Sequence, residues 1–147
     1  MKSDQCIALG CDHGGYQLKL VIEKYLQNME IPYKDYGSYS EESVDYPMYA
    51  QKVCEAITAG ECALGILVCG TGIGMSIAAN KYKGIRAACC SEPYSARLTR
   101  MHNDANILCI GGRVVGSGTA LDMVEVFIHT DFEGGRHTKR IAMLEKD

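Results

Sequence analysis

Strand-like apolar runs alternate with helix-like segments along the whole chain, and this alternation constrains the fold more than any other feature of the sequence. Strands joined by helices of this length form right-handed βαβ units, which pair as a parallel sheet with helices on both faces. The sequence therefore predicts an α/β fold with a doubly wound, Rossmann-like sheet of five strands in the order 2-1-3-4-5. The predicted strands are residues 5–10, 33–36, 64–68, 85–90 and 106–110.

Helix signals fill the segments between these strands. Apolar residues recur at helical spacing over residues 16–29 and 117–129, and a small-residue helix pattern covers 75–80. Asp45 and Ser91, each followed two residues later by proline, are typical of helix N-caps. The chain ends in a short helical tail. Since no linker-like shift in composition occurs, we expect one domain over residues 1–147.

Composition and charge limit the classes of partner and the cellular compartment that we expect for this chain. The chain has 147 residues, a formal net charge of −3 and no block of like charge, which argues against nucleic acid and anionic membranes as partners. The N-terminus lacks a secretory h-region, and no apolar run approaches the roughly 18 residues that suggest a membrane helix. We therefore expect a cytoplasmic protein.

Eight cysteines raise the question of disulfides or a metal site. They contain no C-x-x-C pair, and none lies at a zinc-ligand spacing from a histidine. Cys6, Cys89 and Cys109 fall inside strand-like runs, where a free cysteine behaves as a small buried hydrophobe. We expect mostly structural free thiols in a reducing compartment, with no metal and no cofactor.

Two glycine-bearing loops should meet at the switch point of the sheet, between strands one and three. Ligands of such sheets bind outside the carboxyl ends of the strands that flank this point. Strand one is followed by the loop 11–15 and strand three by the loop 69–74. The sequence therefore predicts a ligand site formed by both loops.

Cys69 is the most reactive-looking residue of these loops. Three glycines follow it within five residues and then a helix begins, so backbone N–H groups and a positive dipole end point at the same place. Such a turn suits an anion, and a helix N-terminus favours the thiolate form of a nearby thiol. The alternative interpretation is a buried cysteine at a strand end.

Other candidates each have an ordinary interpretation as well. Asp12 and His13 could cap a helix and lie on the surface, and His102 could be a cation at a helix C-terminus. Three arginines are candidates for binding phosphate or, alternatively, solvated charges: Arg113, which follows two glycines after strand five, and Arg136 and Arg140, one helical turn apart. A dinucleotide-binding loop fits poorly, because the third glycine of that motif would fall on Met75 or Ile77.

Several motifs together resemble one family. GCDHGGYQLK, ESVDYP, CGTGIGMSIAANK, GIRAACCSEPYSARLTRMHNDANIL, GGRVVG and EGGRH are similar, in order and spacing, to the ribose/galactose sugar-phosphate isomerases that include type B ribose-5-phosphate isomerase. The resemblance covers residues 7–140. It implies a metal-free homodimer with active sites at the interface, which interconverts ribose 5-phosphate and ribulose 5-phosphate.

The resemblance also implies roles for single residues. The proton-transferring cysteine falls on Cys69 and the ring-opening histidine on His102. The substrate-binding residues fall on Asp12, His13, Gly70, Thr71, Gly72, Ile73, Gly74 and Asn103. The phosphate-binding arginines fall on Arg113, Arg136 and Arg140.

The expected chemistry and the predicted topology lead to one geometric conclusion. A tuned thiol suits proton transfer, the turn amides suit an enediolate, and a histidine suits ring opening at neutral pH. A helix that runs back from the carboxyl edge for about eleven residues ends about 16 Å away from it. We therefore expect His102 and Asn103 to serve Cys69 of a partner subunit across a two-fold interface.

Two alternatives to this function remain open at the level of sequence. One is isomerisation of a hexose 6-phosphate, either allose 6-phosphate or, as one subunit, galactose 6-phosphate. The other is a non-catalytic module that binds a sugar phosphate or senses redox state through Cys69.

Overall fold

The computed structural model describes residues 5–145, which form a parallel sheet of five strands with helices on both of its faces. This arrangement confirms the predicted α/β class. The strands are β1 (Ile7–Cys11), β2 (Tyr33–Asp35), β3 (Leu64–Cys69), β4 (Ala87–Cys89) and β5 (Ile107–Gly111). The helices are α1 (Tyr16–Asn28), α2 (Tyr46–Thr58), α3 (Ile73–Ala79), α4 (Pro93–Asn103), α5 (Ser117–His129) and α6 (Arg136–Leu144).

Alternate residues of the central strands feed two separate cores. On one face Leu9, Ile66 and Val68 pack with α1, α4 and α5, and on the other face Leu67 and Cys109 pack with α2 and α3. Strands buried on both faces read as continuous apolar runs, which is why β1, β3 and β5 stand out in the sequence. The apolar faces of the helices pack against these strands.

The predicted strand order is wrong at one edge of the sheet. The observed order is β2-β1-β3-β5-β4, so β5 lies beside β3 and β4 lies outside it. All five residues of β5 are buried, whereas β4 has only three residues and none is fully buried. A short, partly exposed strand is better accommodated at an edge. The switch point between β1 and β3 is unaffected.

Two cysteine predictions also need correction. Cys6 and Cys62 form a disulfide, with 4.8 Å between their Cα atoms. Each precedes a strand, and the parallel register of β1 on β3, which pairs Ile7 with Leu64, brings these strand starts together. Spacing along the chain, 56 residues apart, carries no sign of this contact. Cys89, expected to be buried, is exposed on the edge strand.

Helix boundaries agree closely with the sequence patterns. The Asp45 cap of α2 and the full extent of α5 are as predicted. The cap of α4 is Glu92 rather than Ser91, because the Glu92 carboxylate reaches the Ser95 N–H at 2.8 Å. Among residues 5–145, every helix is too short or too polar to cross a lipid bilayer.

Candidate active site

The loops that follow β1 and β3 are in direct contact. A Cβ atom added at Gly14 would lie 3.1 Å from the amide nitrogen of Gly70. A Cβ atom at Gly112, after β5, would lie 2.7 Å from the carbonyl oxygen of Gly14. Side chains at these glycines would therefore push the loops apart. The structure brings three strand ends together at the switch point, as the topology predicts.

Cys69 is the last residue of β3 and points into this junction. The residue is only 5% exposed, and its Sγ atom accepts a hydrogen bond of 3.1 Å from the Gly72 N–H. Gly72 has a φ of +81°, in the left-handed region that glycine adopts without strain. The turn thus folds back so that its own amide fixes the orientation of the thiol.

The turn after Cys69 keeps several N–H groups free. The Gly72 N–H is used by the sulfur, and the Ile73 N–H donates to the Thr71 hydroxyl oxygen at 3.2 Å. Within the described part of the chain, the N–H groups of Gly70, Thr71 and Gly74 have no hydrogen-bond acceptor. An oxyanion placed beside Cys69 could accept from these three donors.

Asp12 and His13 occupy the neighbouring loop. Asp12 is 7% exposed and its Oδ1 atom accepts from the Gly15 N–H at 3.2 Å, so it shapes the turn before α1. His13 accepts from the Val44 N–H at its Nδ1 atom, also at 3.2 Å. A neutral imidazole that accepts at Nδ1 carries its proton on Nε2. The ring of His13 can therefore present a donor to a ligand.

Arg113 joins the same cluster. Its Nη1 atom lies 3.3 Å from the position of a Cβ atom at Gly70, and its backbone N–H donates to the Gly70 carbonyl at 3.0 Å. The residue is exposed, so its charge faces solvent beside the turn. We call the following group the sheet-edge cluster: Asp12, His13, Cys69, Gly70, Thr71, Gly72, Ile73, Gly74 and Arg113.

Tyr46 is a neighbour of this cluster that the sequence argument missed. Its ring carbons would lie 2.9 Å from a Cβ atom at Gly74, so the aromatic ring covers the start of α3. Tyr46 is the first residue of α2, directly after the Asp45 cap. The sequence signal was its position inside the ESVDYP motif.

Cys11 lies at the equivalent end of β1 but in a different environment. Burial raises the pKa of the Cys11 thiol, although Ser38 and Lys19 act in the opposite direction. Its Sγ atom contacts the carbonyl oxygen and the hydroxyl of Ser38. A thiol held in this way is suited to packing rather than to proton transfer.

His102 and Asn103 lie at the opposite edge of the sheet. Helix α4 has eleven residues, so it runs back for about 16 Å from its start beside the end of β4. Its last turn reaches the place where β3 begins, since Arg100 and Asp104 line one pocket together with Leu64. One chain therefore does not bring His102 to its own Cys69.

The C-terminal helix meets His102 at this far end. The ring of His102 stacks on His137 with 4.3 Å between ring centroids, and the Glu133 N–H donates to the Met101 carbonyl at 3.0 Å. Both Arg136 and Arg140 are exposed on α6. We call the following group the helix-end cluster: His102, Asn103, Arg136 and Arg140.

Two further arginines hold the helix-end cluster in place. Arg86 donates to the carbonyl oxygens of Asn103 and Asp104 and pairs with Glu145 at the end of α6. Arg100 donates to Asp104 Oδ1 at 2.9 Å and to the carbonyl of Ala105 at 2.7 Å. Cations at a helix C-terminus satisfy its free carbonyls and its dipole.

One group of side chains in the described chain could hold a metal ion. Ligand atoms of His102, Glu133 and His137 all lie within 4.8 Å of one another. The sequence predicts no metal, and His137, although it is the last residue of the EGGRH motif, is not among the predicted site residues.

Comparison with known proteins gives a single family. Residues 7–144 match the family model described as Ribose/Galactose Isomerase. The chain is 51% identical, over 94% of its length and 93% of the relative's, to the Escherichia coli protein named ribose-5-phosphate isomerase B.

Solved structures agree with the family model. A ribose 5-phosphate isomerase structure from Thermotoga maritima is 51% identical with a TM-score of 0.95, covering 97% of this chain and 98% of that one. A Mycoplasma genitalium ribose-5-phosphate isomerase B, solved with bound ribulose-5-phosphate, is 36% identical with a TM-score of 0.92, covering 98% of this chain and 96% of that one. The chain belongs to the ribose/galactose isomerase family.

Proposed function

We propose that this chain is an aldose–ketose isomerase that interconverts ribose 5-phosphate and ribulose 5-phosphate through a cis-enediolate. The observation that carries the proposal is the buried Cys69 thiol, held by the Gly72 N–H beside three free amides of the same turn. Support comes from relatives of similar length that are named ribose-5-phosphate isomerase B, one of them solved with ribulose-5-phosphate bound.

Cys69 is proposed as the base that moves the proton. As a thiolate it removes the proton from C2 of the open-chain aldose, which leaves an enediolate with negative charge on O1. The same sulfur then donates a proton, exchangeable with solvent, to C1. The proton of the C2 hydroxyl passes to O1, which leaves the C2 ketone and the C1 hydroxyl of the product. A positioned acid–base group of this kind typically contributes about 10²–10⁴-fold in rate.

The free amides of the turn are proposed as the oxyanion hole. In the described chain the N–H groups of Gly70, Thr71 and Gly74 have no protein acceptor, so they are available to an oxyanion that forms beside the sulfur. Asp12 and His13 line the same crevice and are proposed to bind the sugar hydroxyls. His13 offers its Nε2 proton for this role, because Nδ1 is occupied by Val44.

The second half of the site is proposed to come from a partner subunit in a homodimer. His102 would open the furanose ring of the sugar by taking the proton of the C1 hydroxyl and giving a proton to the ring oxygen. Asn103 would bind a sugar hydroxyl. The separation of the two clusters within one chain supports this arrangement. A two-fold axis supplies both complete sites at once.

The phosphate is proposed to lie between arginines of both subunits. Arg136 and Arg140 belong to the helix-end cluster and would accompany His102, whereas Arg113 would accompany Cys69. Arginine binds phosphate oxygens through two N–H groups at once, which suits a doubly charged group. The cytoplasm is the proposed compartment on the ground that six of the eight cysteines are free thiols, against the one disulfide between Cys6 and Cys62.

Solvent deuterium incorporation tests the reaction directly. The protein, treated with a chelator to remove adventitious metal, is incubated in deuterium oxide with ribose 5-phosphate, allose 6-phosphate or galactose 6-phosphate. We expect isomerisation with deuterium at the carbon that receives the proton, and the fastest reaction with ribose 5-phosphate. The Cys69→Ala variant should show neither isomerisation nor deuterium incorporation. Binding of the sugar phosphates without isomerisation or exchange would instead identify a non-catalytic module.

A further inference from the structure

We propose that His102, Glu133 and His137 form a zinc-binding site, and that zinc bound there inhibits the isomerase. The inhibition rests on the proposed role of His102, but the binding does not. The ligand atoms of the three side chains are already gathered within 4.8 Å of one another. Zinc at bond lengths of about 2.0–2.2 Å needs its ligand atoms closer together than this, so the side chains must turn toward the ion.

His137 is the observation that points to a ligand. Its side chain is only 7% exposed, and its Nε2 atom is buried with no hydrogen-bond partner in the described chain. The Oε1 atom of Glu133 is 3.6 Å from this nitrogen, which is beyond a good hydrogen bond. A buried polar atom left in this state is unfavourable, and a metal ion would satisfy it.

The donor set selects the class of metal. Two imidazole nitrogens and one carboxylate oxygen suit zinc and related transition metals, whereas magnesium and calcium prefer oxygen ligands. Three protein ligands also leave a fourth tetrahedral position open. Zinc is therefore the ion expected here.

The surrounding chain allows the ligands to close on an ion. Glu133 is 49% exposed and precedes Gly134 and Gly135, which have positive φ angles of 74° and 58° and meet no atoms within 4 Å of an added Cβ. His102 is partly exposed at the last turn of α4, so its ring has room to rotate out of the stack on His137.

Zinc at this position would act on catalysis through His102. A ring nitrogen bound to a metal uses its lone pair in that bond and cannot accept a proton from a sugar hydroxyl. Inhibition should therefore lower kcat, and removing the zinc with a chelator should restore it. His137 would be the residue that gives the site its affinity.

Direct binding measurements test the site. The full-length protein in a Cys89→Ser background, which removes the exposed free thiol, competes for Zn²⁺ with a chromophoric chelator. We expect one ion per chain, and an affinity at least about tenfold weaker in Glu133→Gln and in His137→Gln. The matched control is His129→Gln, because His129 also lies four residues from a glutamate but has no third ligand. It should bind zinc as well as the parent does.

Cobalt spectroscopy and kinetics distinguish the remaining outcomes. Co²⁺ in the site should give the intense visible bands of a tetrahedral complex without a thiolate charge-transfer band. Zinc should inhibit the parent and spare Glu133→Gln, an exposed change that leaves the core intact. Equal zinc affinity in the parent and Glu133→Gln, or a thiolate band, would overturn the proposal. An inactive protein that still binds zinc through these residues would contradict the proposed function and leave the metal site standing.

Discussion

The sheet-edge cluster and the helix-end cluster are held by different forces. Around Cys69, glycines let the ends of β3 and β5 and the loop after β1 approach so closely that added Cβ atoms would collide with backbone. Around His102, Arg86 and Arg100 donate to backbone carbonyls at and just after the end of α4. The first cluster is fixed by the core of its own chain, whereas the four side chains of the second are partly or fully exposed.

Mixing two inactive variants gives the largest expected effect. Cys69→Ala and His102→Ala should each be nearly inactive, because each removes a proposed proton-transfer group from every site. If the clusters complement each other across subunits, each heterodimer contains one intact site. Random exchange of equal amounts should then restore about one quarter of the wild-type activity. The assay is ribulose 5-phosphate formation after unfolding and refolding the mixture.

The control mixes Cys69→Ala with the double variant Cys69→Ala/His102→Ala. No chain in that mixture carries the thiol, so activity should stay absent even though subunits exchange equally. Native mass spectrometry measures the fraction of heterodimer in both mixtures. Heterodimers without recovered activity in the first mixture would show that the two clusters do not share a site.

The contrast between the clusters also explains which features of the fold and of the site can be predicted from the sequence. The position of Cys69 followed from an apolar strand, a glycine turn and the topology of parallel sheets, all of which are encoded locally. The place of β4 and the Cys6–Cys62 disulfide depend on which strands become neighbours, and no local pattern records that. The His102–His137 stack depends on how α6 folds back onto α4, which is again a long-range contact.

The phosphate assignment predicts a smaller effect confined to the helix-end cluster. Arg136→Ala and Arg140→Ala should each raise KM by about tenfold or more, because hydrogen bonds to charged groups contribute about 1.5–3 kcal/mol. The matched control is Lys139→Ala, which removes the same charge from an exposed position of the same helix. Lys139 lies three residues after Arg136 and is therefore its neighbour on the helix surface, so this control removes a charge close to the proposed phosphate site.

Steady-state kinetics at two salt concentrations distinguish specific phosphate binding by the arginines from non-specific electrostatic attraction of the substrate to α6. We expect the Lys139→Ala protein to keep the wild-type KM within about twofold at moderate ionic strength, where exposed charges are screened. An equal rise in KM for all three variants would mean that α6 attracts anions without forming a phosphate site.

A pair of glycine variants tests how rigid the sheet-edge cluster is. Gly72 and Gly60 have similar positive φ angles of 81° and 78°, so alanine at either position is strained by about 1–2 kcal/mol. At Gly72 the new Cβ atom would also lie 3.0 Å from the Ile110 carbonyl carbon and 3.1 Å from the Gly111 nitrogen. At Gly60 it would meet nothing within 4 Å.

Gly72→Ala should therefore be less stable than Gly60→Ala in urea denaturation and should also lose activity. The activity falls because the Gly72 N–H holds the Cys69 sulfur, whereas Gly60 ends α2 far from the cluster. Equal stability and full activity for both variants would contradict the view that close backbone contact fixes the thiol.

The smallest effect concerns a buried thiol that packs in the same core as Cys69. Burial, assisted by the charge of Glu55, raises the pKa of Cys54 from 9.0 to about 12. Since the folded state holds this proton more tightly than the unfolded state, the resulting stability is complete below pH 9 and is lost as pH rises toward 12. The loss should be about 1.4 kcal/mol per pH unit within that window.

Urea denaturation at pH 8 and pH 10 measures this loss, with Cys54→Ala as the comparison. The variant is less stable at both pH values because of the cavity it leaves, so the informative quantity is the change in unfolding free energy between them. Other groups that titrate near pH 10 contribute equally to both proteins. We expect the wild type to lose about 1.4 kcal/mol more than the variant. Equal losses would mean that the core beneath the sheet-edge cluster opens to solvent, and the contrast between a rigid and an open half of the site would then fail.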